Sequence, residues 1–328
     1  MITIKAFNKG LICRGFKYEI GETYEIPREY VKICEHGFHA SANCDISETV
    51  EYYPNIANNE YALVDINIVD KRNDKVVSNK IKIIRKITDL DQLIKYDKTG
   101  KWCYRYARDI KGADTQKLED AVIKKDKDGR WCYYFAKYIK GANLQKLQDA
   151  IIEKDESGMW CYYFAKNIDD FNIEKLENKI IEKDKTGAWC YNFARYIKDA
   201  DVEKLGDAVI KKDETGELCY NFAIDVENAN LQKLQDAIIE KDASGRWCYY
   251  FAENTDNPDI EKLENKIIEK DESGIWCYYF ARYVKGANIK RLQNEVSRKD
   301  KTGRWHKEFI QWIEDTNRRK NYKDVKFK

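Results

Sequence analysis

The chain has 328 residues, more than one compact core usually holds, and 43% of them are hydrophobic and 35% charged. Its 59 Lys and Arg nearly balance its 57 Asp and Glu, and a formal net charge of +2 argues against binding nucleic acid along the whole chain. No apolar run approaches the roughly 18 residues of a membrane span, and the N-terminus lacks the pattern of a signal peptide. We therefore expect a soluble, cytoplasmic protein that makes no contact with membranes.

The first ninety residues show short β-like runs separated by turn signals. The runs are ITIKAF, LICRGFKYEI, YALVDINIVD and KVVSNKIKIIRKI, and a helical stretch lies near residues 47–53. This pattern predicts a small α+β domain over residues 1–87.

The same segment carries a resemblance to a known family. The order KAFNKGLICRGFKYEIGETYE, CEHGFHA, EYYP, YALVDI and KIKIIRKI resembles an uncharacterised domain of phage and prophage proteins. The resemblance implies a viral or mobile-element setting, and hence the cytoplasm of a bacterial host. It implies no activity.

Two cysteines and two histidines fall within a short stretch of this domain. Zinc prefers such ligands, so Cys34, His36, His39 and Cys44 are weak candidates for a metal site. Their spacing matches no standard zinc finger. We therefore expect no bound metal, with buried cysteines and a hydrogen-bonded histidine instead.

A second resemblance in this domain concerns enzymes. Arg14-Gly15, then GFHAS at 37–41, then Tyr52-Tyr53 and a strand resemble the order of segments in ADP-ribosyltransferases. The resemblance implies an NAD site containing Arg14 and His39, with a glutamate supplied by a later strand. The predicted strands YALVDINIVD and KIKIIRKI contain no glutamate. We therefore expect no enzymatic activity and no cofactor. If the domain shares the fold of these enzymes, we expect a degenerate version that binds but does not catalyse.

The rest of the chain repeats with a period of 29 residues. A tryptophan marks seven of the eight copies, and Leu218 stands at the equivalent position of the remaining one. A cysteine directly follows this position in seven of the eight copies. The series of tryptophans is Trp102, Trp131, Trp160, Trp189, Trp247, Trp276 and Trp305.

Each repeat reads as two helices. In the first, Trp131, Cys132 and Phe135 lie on one apolar stripe, and in the second Leu147 and Ile151 do so. Ten residues after each tryptophan position, a Gly, Asn or Asp favours a left-handed turn, and an Asn or Asp two residues later is a good cap for the second helix. The predicted N-caps of the first helices are Thr99, Asp128, Ser157, Thr186, Thr215, Ser244, Ser273 and Thr302.

These units predict a mainly α fold: an α-solenoid over residues 88–328, preceded by the small α+β domain. The units resemble the short helical hairpins of TPR and armadillo-like repeats, and seven of them lie between half-unit caps. Leu218 in place of tryptophan and Gly206 within the preceding helix predict a hinge over residues 206–218.

Function is expected where the repeats differ, because the shared apolar positions form the core. The variable positions directly before the tryptophan and three residues after it supply Tyr and Arg, which suit protein interfaces. We therefore expect a non-enzymatic protein–protein interaction scaffold. The resemblance of the N-terminal domain implies that it is phage-encoded and that it binds a host defence protein and inhibits it by occlusion. The candidate binding residues are Arg105, Tyr134, Tyr163, Asn192, Asn221, Tyr250, Tyr279, Arg130, Arg246 and Arg304.

A nucleic-acid-binding helical repeat is the alternative, because one-base-per-repeat readers vary at fixed positions in the same way. Residues 130–158 are nearly neutral, whereas a groove that follows phosphates needs an excess of positive charge. The sequence leaves the oligomeric state open.

Overall fold

The computed structural model describes the backbone of residues 1–325 and the side chains of residues 1–318. Residues 1–156 with 163–172 form one compact unit. Residues 157–162 form a second unit together with the described chain from Ile173 onward.

The N-terminal residues fold into a seven-stranded antiparallel sheet. Its order is β3-β2-β1-β6-β7-β4, and β5 also pairs with β7. The predicted helical stretch is a 3-10 turn over Ile46–Thr49. The strands are β1 Ile2–Asn8, β2 Ile12–Cys13, β3 Phe16–Lys17, β4 Thr23–Glu25, β5 Phe38–Ser41, β6 Asn59–Lys71 and β7 Lys75–Ile87.

Strands β4 and β5 were not predicted, because runs of three and four residues are too short to show alternation. Gly37 brings β5 against β7. It has a positive φ of +116°, and a Cβ atom there would lie 2.6 Å from Cγ2 of Val77. Only glycine allows this close approach, which places His39 opposite Val77 in the sheet.

Sixteen helices follow in the described chain and confirm the helical-repeat prediction. Seven pairs of a nine-residue and an eleven-residue helix lie between α1 and α16. The helices are α1 Leu90–Tyr96, α2 Lys101–Asp109, α3 Thr115–Lys125, α4 Arg130–Tyr138, α5 Leu144–Lys154, α6 Met159–Asn167, α7 Ile173–Lys183, α8 Ala188–Tyr196, α9 Val202–Lys212, α10 Glu217–Asp225, α11 Leu231–Lys241, α12 Arg246–Asn254, α13 Ile260–Lys270, α14 Ile275–Tyr283, α15 Ile289–Lys299 and α16 Arg304–Val325.

The first helix of each pair begins one residue later than predicted. Its N-cap is a glycine with positive φ, such as Gly100, while the predicted cap Thr99 accepts one hydrogen bond from the Lys101 amide at 3.2 Å. An aspartate supplies the main cap. Asp97 accepts from the Gly100 amide at 2.9 Å and from the Cys103 amide at 2.8 Å. One buried carboxylate therefore satisfies several otherwise unpaired amides of the helix start.

The turn inside each hairpin follows the prediction. Gly112, Asp170 and Asn228 have positive φ values, as the left-handed turn requires. Asp114 then caps α3 by accepting from the Lys117 amide at 3.1 Å. Asn143 caps α5 in the same way.

The first repeat tryptophan differs from the others because it packs on the sheet. Trp102 is 0% exposed, its ring meets that of Tyr61 on β6 edge to face at 5.9 Å, and its indole N–H donates to the Tyr61 hydroxyl at 3.0 Å. The sheet therefore covers the apolar end of the first hairpin within this compact unit.

None of the helices in the described part of the chain combines the length and the apolar character that crossing a membrane requires.

Candidate functional site

In seven of the eight repeats, the residue two positions after the tryptophan position is a tyrosine, and it contacts the neighbouring repeat. The ring of Tyr104 lies 5.9 Å from that of Trp131, and Tyr249 lies 5.8 Å from Trp276. Both tyrosines are buried. Tyr104 and Tyr249 therefore lie in the seam between consecutive hairpins and are not part of a free surface, whereas Tyr220 is half-buried.

Most of the repeat tryptophans are less buried than the sequence predicts, although Trp102 and Trp160 are buried. Trp131, Trp247 and Trp276 are half-buried, and the ring of each contacts the tyrosine of the preceding repeat. In the second compact unit, tryptophan and tyrosine rings form a row of contacts, each 5.6–5.9 Å between centroids, which we call the aromatic ladder. The aromatic ladder consists of Tyr220, Trp247, Tyr250, Trp276, Tyr279 and Trp305.

Two exposed arginines cover the aromatic ladder. The Arg246 guanidinium lies 4.7 Å from the ring centre of Trp247, and that of Arg304 lies 4.5 Å from Trp305. These are cation–π distances, and both arginines stay accessible to solvent. The predicted residues Tyr250, Tyr279, Arg246 and Arg304 therefore contribute to one surface.

The first compact unit has a shorter row of the same kind. Trp131 lies 5.7 Å from Tyr134, and Tyr134 lies 6.2 Å from Tyr138. Arg130 is exposed beside this row, and Arg105 is half-buried. The ring of Tyr163 lies 6.1 Å from that of Tyr133.

The two candidate asparagines do not extend the aromatic ladder. The Asn192 amide group donates to the Ala188 carbonyl of its own helix at 2.8 Å. Asn221 lines a cavity of about 380 Å³ beside Leu218. Asn221 lies in the repeat where Leu218 replaces the tryptophan, and Asn192 lies in the repeat before it.

Sequence reasoning missed three exposed tyrosines on the same helices. Tyr138, Tyr196 and Tyr283 are about half exposed. They stand seven residues after a tryptophan and four after the predicted variable position. An i, i+4 pair shares one helix face, so Tyr279 and Tyr283 are 6.2 Å apart. This spacing was the available signal.

The N-terminal domain contains a cavity of about 660 Å³. It lies among β1, β5 and the turns after β2 and after Ile46–Thr49. Four residues singled out by the enzyme resemblance line it together, namely Arg14, His39, Tyr52 and Tyr53. Lys5 and Glu48 also line it, and the sequence analysis named neither.

His39 is a neutral hydrogen-bond acceptor in this cavity. Its Nε2 accepts from the Cys34 amide at 2.9 Å. Burial, helped by the positive charges of Lys5 and Arg14, lowers the pKa of His39 from 6.5 to about 4. A hydrogen bond to the Gly37 backbone opposes the shift.

Two further residues of the cavity, Tyr53 and Glu48, form hydrogen bonds within the domain. Burial, with the neighbouring Cys13, raises the pKa of Tyr53, whose hydroxyl lies 3.1 Å from the Cys13 thiol. Glu48 accepts from the Ser41 hydroxyl at 2.6 Å and from the Asn43 amide at 3.1 Å.

The four weak metal candidates occupy different positions in this domain. Cys34 is exposed, Cys44 is partly buried, and His36 is exposed. In the part of the chain whose side chains are described, no three His, Cys, Asp or Glu side chains come together as a group able to hold a metal ion.

Strand β6 begins earlier than predicted and includes Glu60. Its carboxylate accepts from the Gly10 and Leu11 amides at 3.0 and 2.9 Å and pairs with Lys86 at 2.7 Å. The expectation that the later strands contain no glutamate is therefore wrong. Glu60 fixes the turn after β1 and is not among the residues lining the cavity.

Comparison with known proteins finds a similarity between this domain and a family whose function is unknown. Residues 1–95 match the model of a domain of unknown function, DUF7666. This match confirms the resemblance to an uncharacterised domain, covers less than a third of the chain and ends within α1. A search of curated proteins found no match.

Proposed function

We propose that the repeat region is a protein-binding scaffold whose contact surface is the aromatic ladder with its arginines. The observation that carries the proposal is the row of half-buried Trp and Tyr rings capped by exposed Arg246 and Arg304. Trp, Tyr and Arg dominate binding energy at protein interfaces, because they combine large apolar area with directional hydrogen bonds. The rings are already ordered by one another, so binding would cost little side-chain entropy.

The N-terminal resemblance supports a more specific version of this proposal. We propose that the chain is phage-encoded, acts in the bacterial cytoplasm, and binds a host defence protein that it inhibits by occlusion. It needs no catalytic group and no cofactor for this.

Affinity capture from infected host cells with the whole chain tests the proposal. The double variant Arg246→Glu with Arg304→Glu reverses two charges on the ladder, and the control Lys290→Glu reverses one on the exposed part of α15. All three changes lie in first helical turns, where a glutamate suits the helix dipole, so folding is retained. We expect one host protein captured by wild type and Lys290→Glu and lost with the double variant. Equal capture by all three would contradict the proposed surface.

The same proteins test the nucleic-acid alternative. Filter binding at low salt should retain neither RNA nor single-stranded DNA. A sequence-independent complex needs positive charges that neutralise phosphates, and the repeats are nearly neutral. Retention that the double variant abolishes would instead favour the nucleic-acid function.

A further inference from the structure

The cavity of the N-terminal domain contains a buried positive charge. Lys5 on β1 is 4% exposed, and its ammonium group donates to the His39 carbonyl at 2.8 Å. Burial lowers the pKa of Lys5, the Cys13 thiol opposes this, and Arg14 adds to it. No carboxylate is among these groups. The Phe7 ring lies 5.2 Å from the ammonium. A buried ammonium usually has an anionic partner, since a carbonyl, a thiol and a ring do not replace its hydration in full.

The other charges around the cavity do not supply that partner. Arg14 and Lys75 add two cations, while Glu48 and Asp74 are the acids in the lining. Glu48 is held by Ser41 and Asn43, and Asp74 accepts from the Tyr52 hydroxyl at 2.5 Å. These donors are neutral and pair neither acid with a cation, and the three cations of the lining outnumber its two acids, so the cavity keeps one excess positive charge that attracts anions.

An aromatic ring lies exposed at the cavity. Phe16 on β3 is 51% exposed and lines it. Its ring is fixed edge to face by Tyr18 and Tyr24, at 4.8 and 5.3 Å. A rigid apolar ring in water beside a charged cavity is a surface on which a planar group can stack.

We infer that this cavity binds a small anionic molecule with a planar ring, whose anionic group pairs with Lys5 and Arg14 and whose ring packs on Phe16. The cavity volume lies in the range of ordinary small-molecule sites, roughly 300–1,000 Å³. A nucleotide and an aromatic carboxylate both have this chemistry. The site is separate from the repeat surface and does not depend on the proposed protein partner.

Calorimetric titration of the whole chain distinguishes the two classes of ligand, a nucleotide and an aromatic carboxylate. The probes are ADP and indole-3-acetate, and adenosine is the neutral control. We expect one of the two anions to saturate one site per chain with a dissociation constant below about 1 mM, and adenosine to bind at least tenfold more weakly. Saturable binding of neither anion, or equal binding of adenosine, would overturn the inference.

Matched variants locate the binding. Lys5→Met keeps the length of the side chain without its charge and should weaken the bound anion at least tenfold. Lys82→Met, at an exposed position of β7 outside the cavity, should bind as wild type does. Arg14→Gln changes an exposed residue and gives the same test if Lys5→Met does not fold. Unchanged affinity in Lys5→Met and Arg14→Gln would overturn the assignment to this cavity.

Discussion

The hydroxyl group of Tyr191 donates a hydrogen bond to the carboxylate of Asp225, at the seam where Leu218 stands in place of the tryptophan. Arg195 joins them, 2.8 Å from the Asp225 carboxylate and 2.6 Å from the Tyr191 hydroxyl. At the next seam Tyr220 instead contacts Trp247 at 5.6 Å. Tyr191 keeps only a longer ring contact, 6.4 Å from Phe222. A partly exposed ion pair contributes about 0–1 kcal/mol, so it replaces the half-buried Tyr–Trp contact incompletely.

A second seam contact is missing at the same place. In other repeats, a buried Glu or Gln of the second helix accepts a hydrogen bond from a backbone amide of the following repeat. That amide belongs to the Asn or Asp that caps the second helix there. Glu177 does so for Asp201 at 3.0 Å, and Gln235 for Asp259 at 2.7 Å. Gly206 occupies this position in α9 and has no side chain for the role, and the Phe222 ring packs against it instead.

We therefore predict that residues 206–218 open more readily than the equivalent residues 235–247. Amide hydrogen exchange followed by mass spectrometry should show faster exchange in the first segment. Leu218→Trp should slow it about two- to tenfold, because an aromatic pair adds about 0.5–1.5 kcal/mol and the cavity beside Leu218 has room for the ring. The control Ala243→Trp, in an exposed turn, should change nothing. Uniform protection across the hairpins would rule out the hinge.

Periodicity was sufficient to predict the repeat fold, because a strict 29-residue spacing gives the apolar stripe and the turn residues at once. It could not give the depth of burial. The burial of Trp276 depends on Tyr249, which lies 27 residues earlier in the chain and covers part of the Trp276 ring from the preceding repeat. The cap by Asp97 was missed for a similar reason. Its second hydrogen bond reaches an amide six residues away, beyond the local rule for N-caps.

The cavity of the N-terminal domain was the least predictable part. Lys5 reads as the polar residue of an alternating strand, yet β5 covers that face of β1 and buries it. Strand β5 has only four residues and gives no signal of its own. The enzyme resemblance placed Arg14 and His39 in one site, and both line the cavity, but sequence alone did not indicate its charge.

The second prediction concerns the attachment of the sheet to the first repeat. Trp102→Ala should lower the free energy of unfolding by about 3–5 kcal/mol, since it removes a fully buried ring and leaves the Tyr61 hydroxyl without its donor. Trp131→Ala should cost less, because that ring is only half-buried. Urea unfolding followed by circular dichroism measures both. Equal losses would show that the sheet does not depend on this contact.

The third prediction compares two glycines that both have positive φ. A Cβ atom on Gly274 would lie 3.2 Å from Cα of Val296 on the next long helix, whereas one on Gly286 would meet nothing within 4 Å. Gly286→Ala should cost about 1 kcal/mol from backbone strain alone. Gly274→Ala should cost clearly more, because α15 has to move. Thermal unfolding of the two variants is the measurement, and a larger loss in Gly286→Ala would contradict the packing.

The last prediction concerns pH and His39. Its pKa is about 4 in the folded protein and about 6.5 when unfolded, so the folded state favours the neutral ring. The stability that depends on this is complete above pH 6.5 and is lost as pH falls from about 6.5 to about 4, because the unfolded chain takes up the proton first. The thermal midpoint of the wild type should therefore fall over this range.

His39→Gln should fall less steeply over the same range, because a glutamine amide oxygen can accept from the Cys34 amide without titrating. Other titrating groups act equally on both proteins and cancel in the comparison. The matched control is His36→Gln, since His36 is exposed and lies only three residues away. It should follow the wild-type curve. If the two variants show the same pH dependence, the neutral His39 ring is not what ties the stability of this domain to pH.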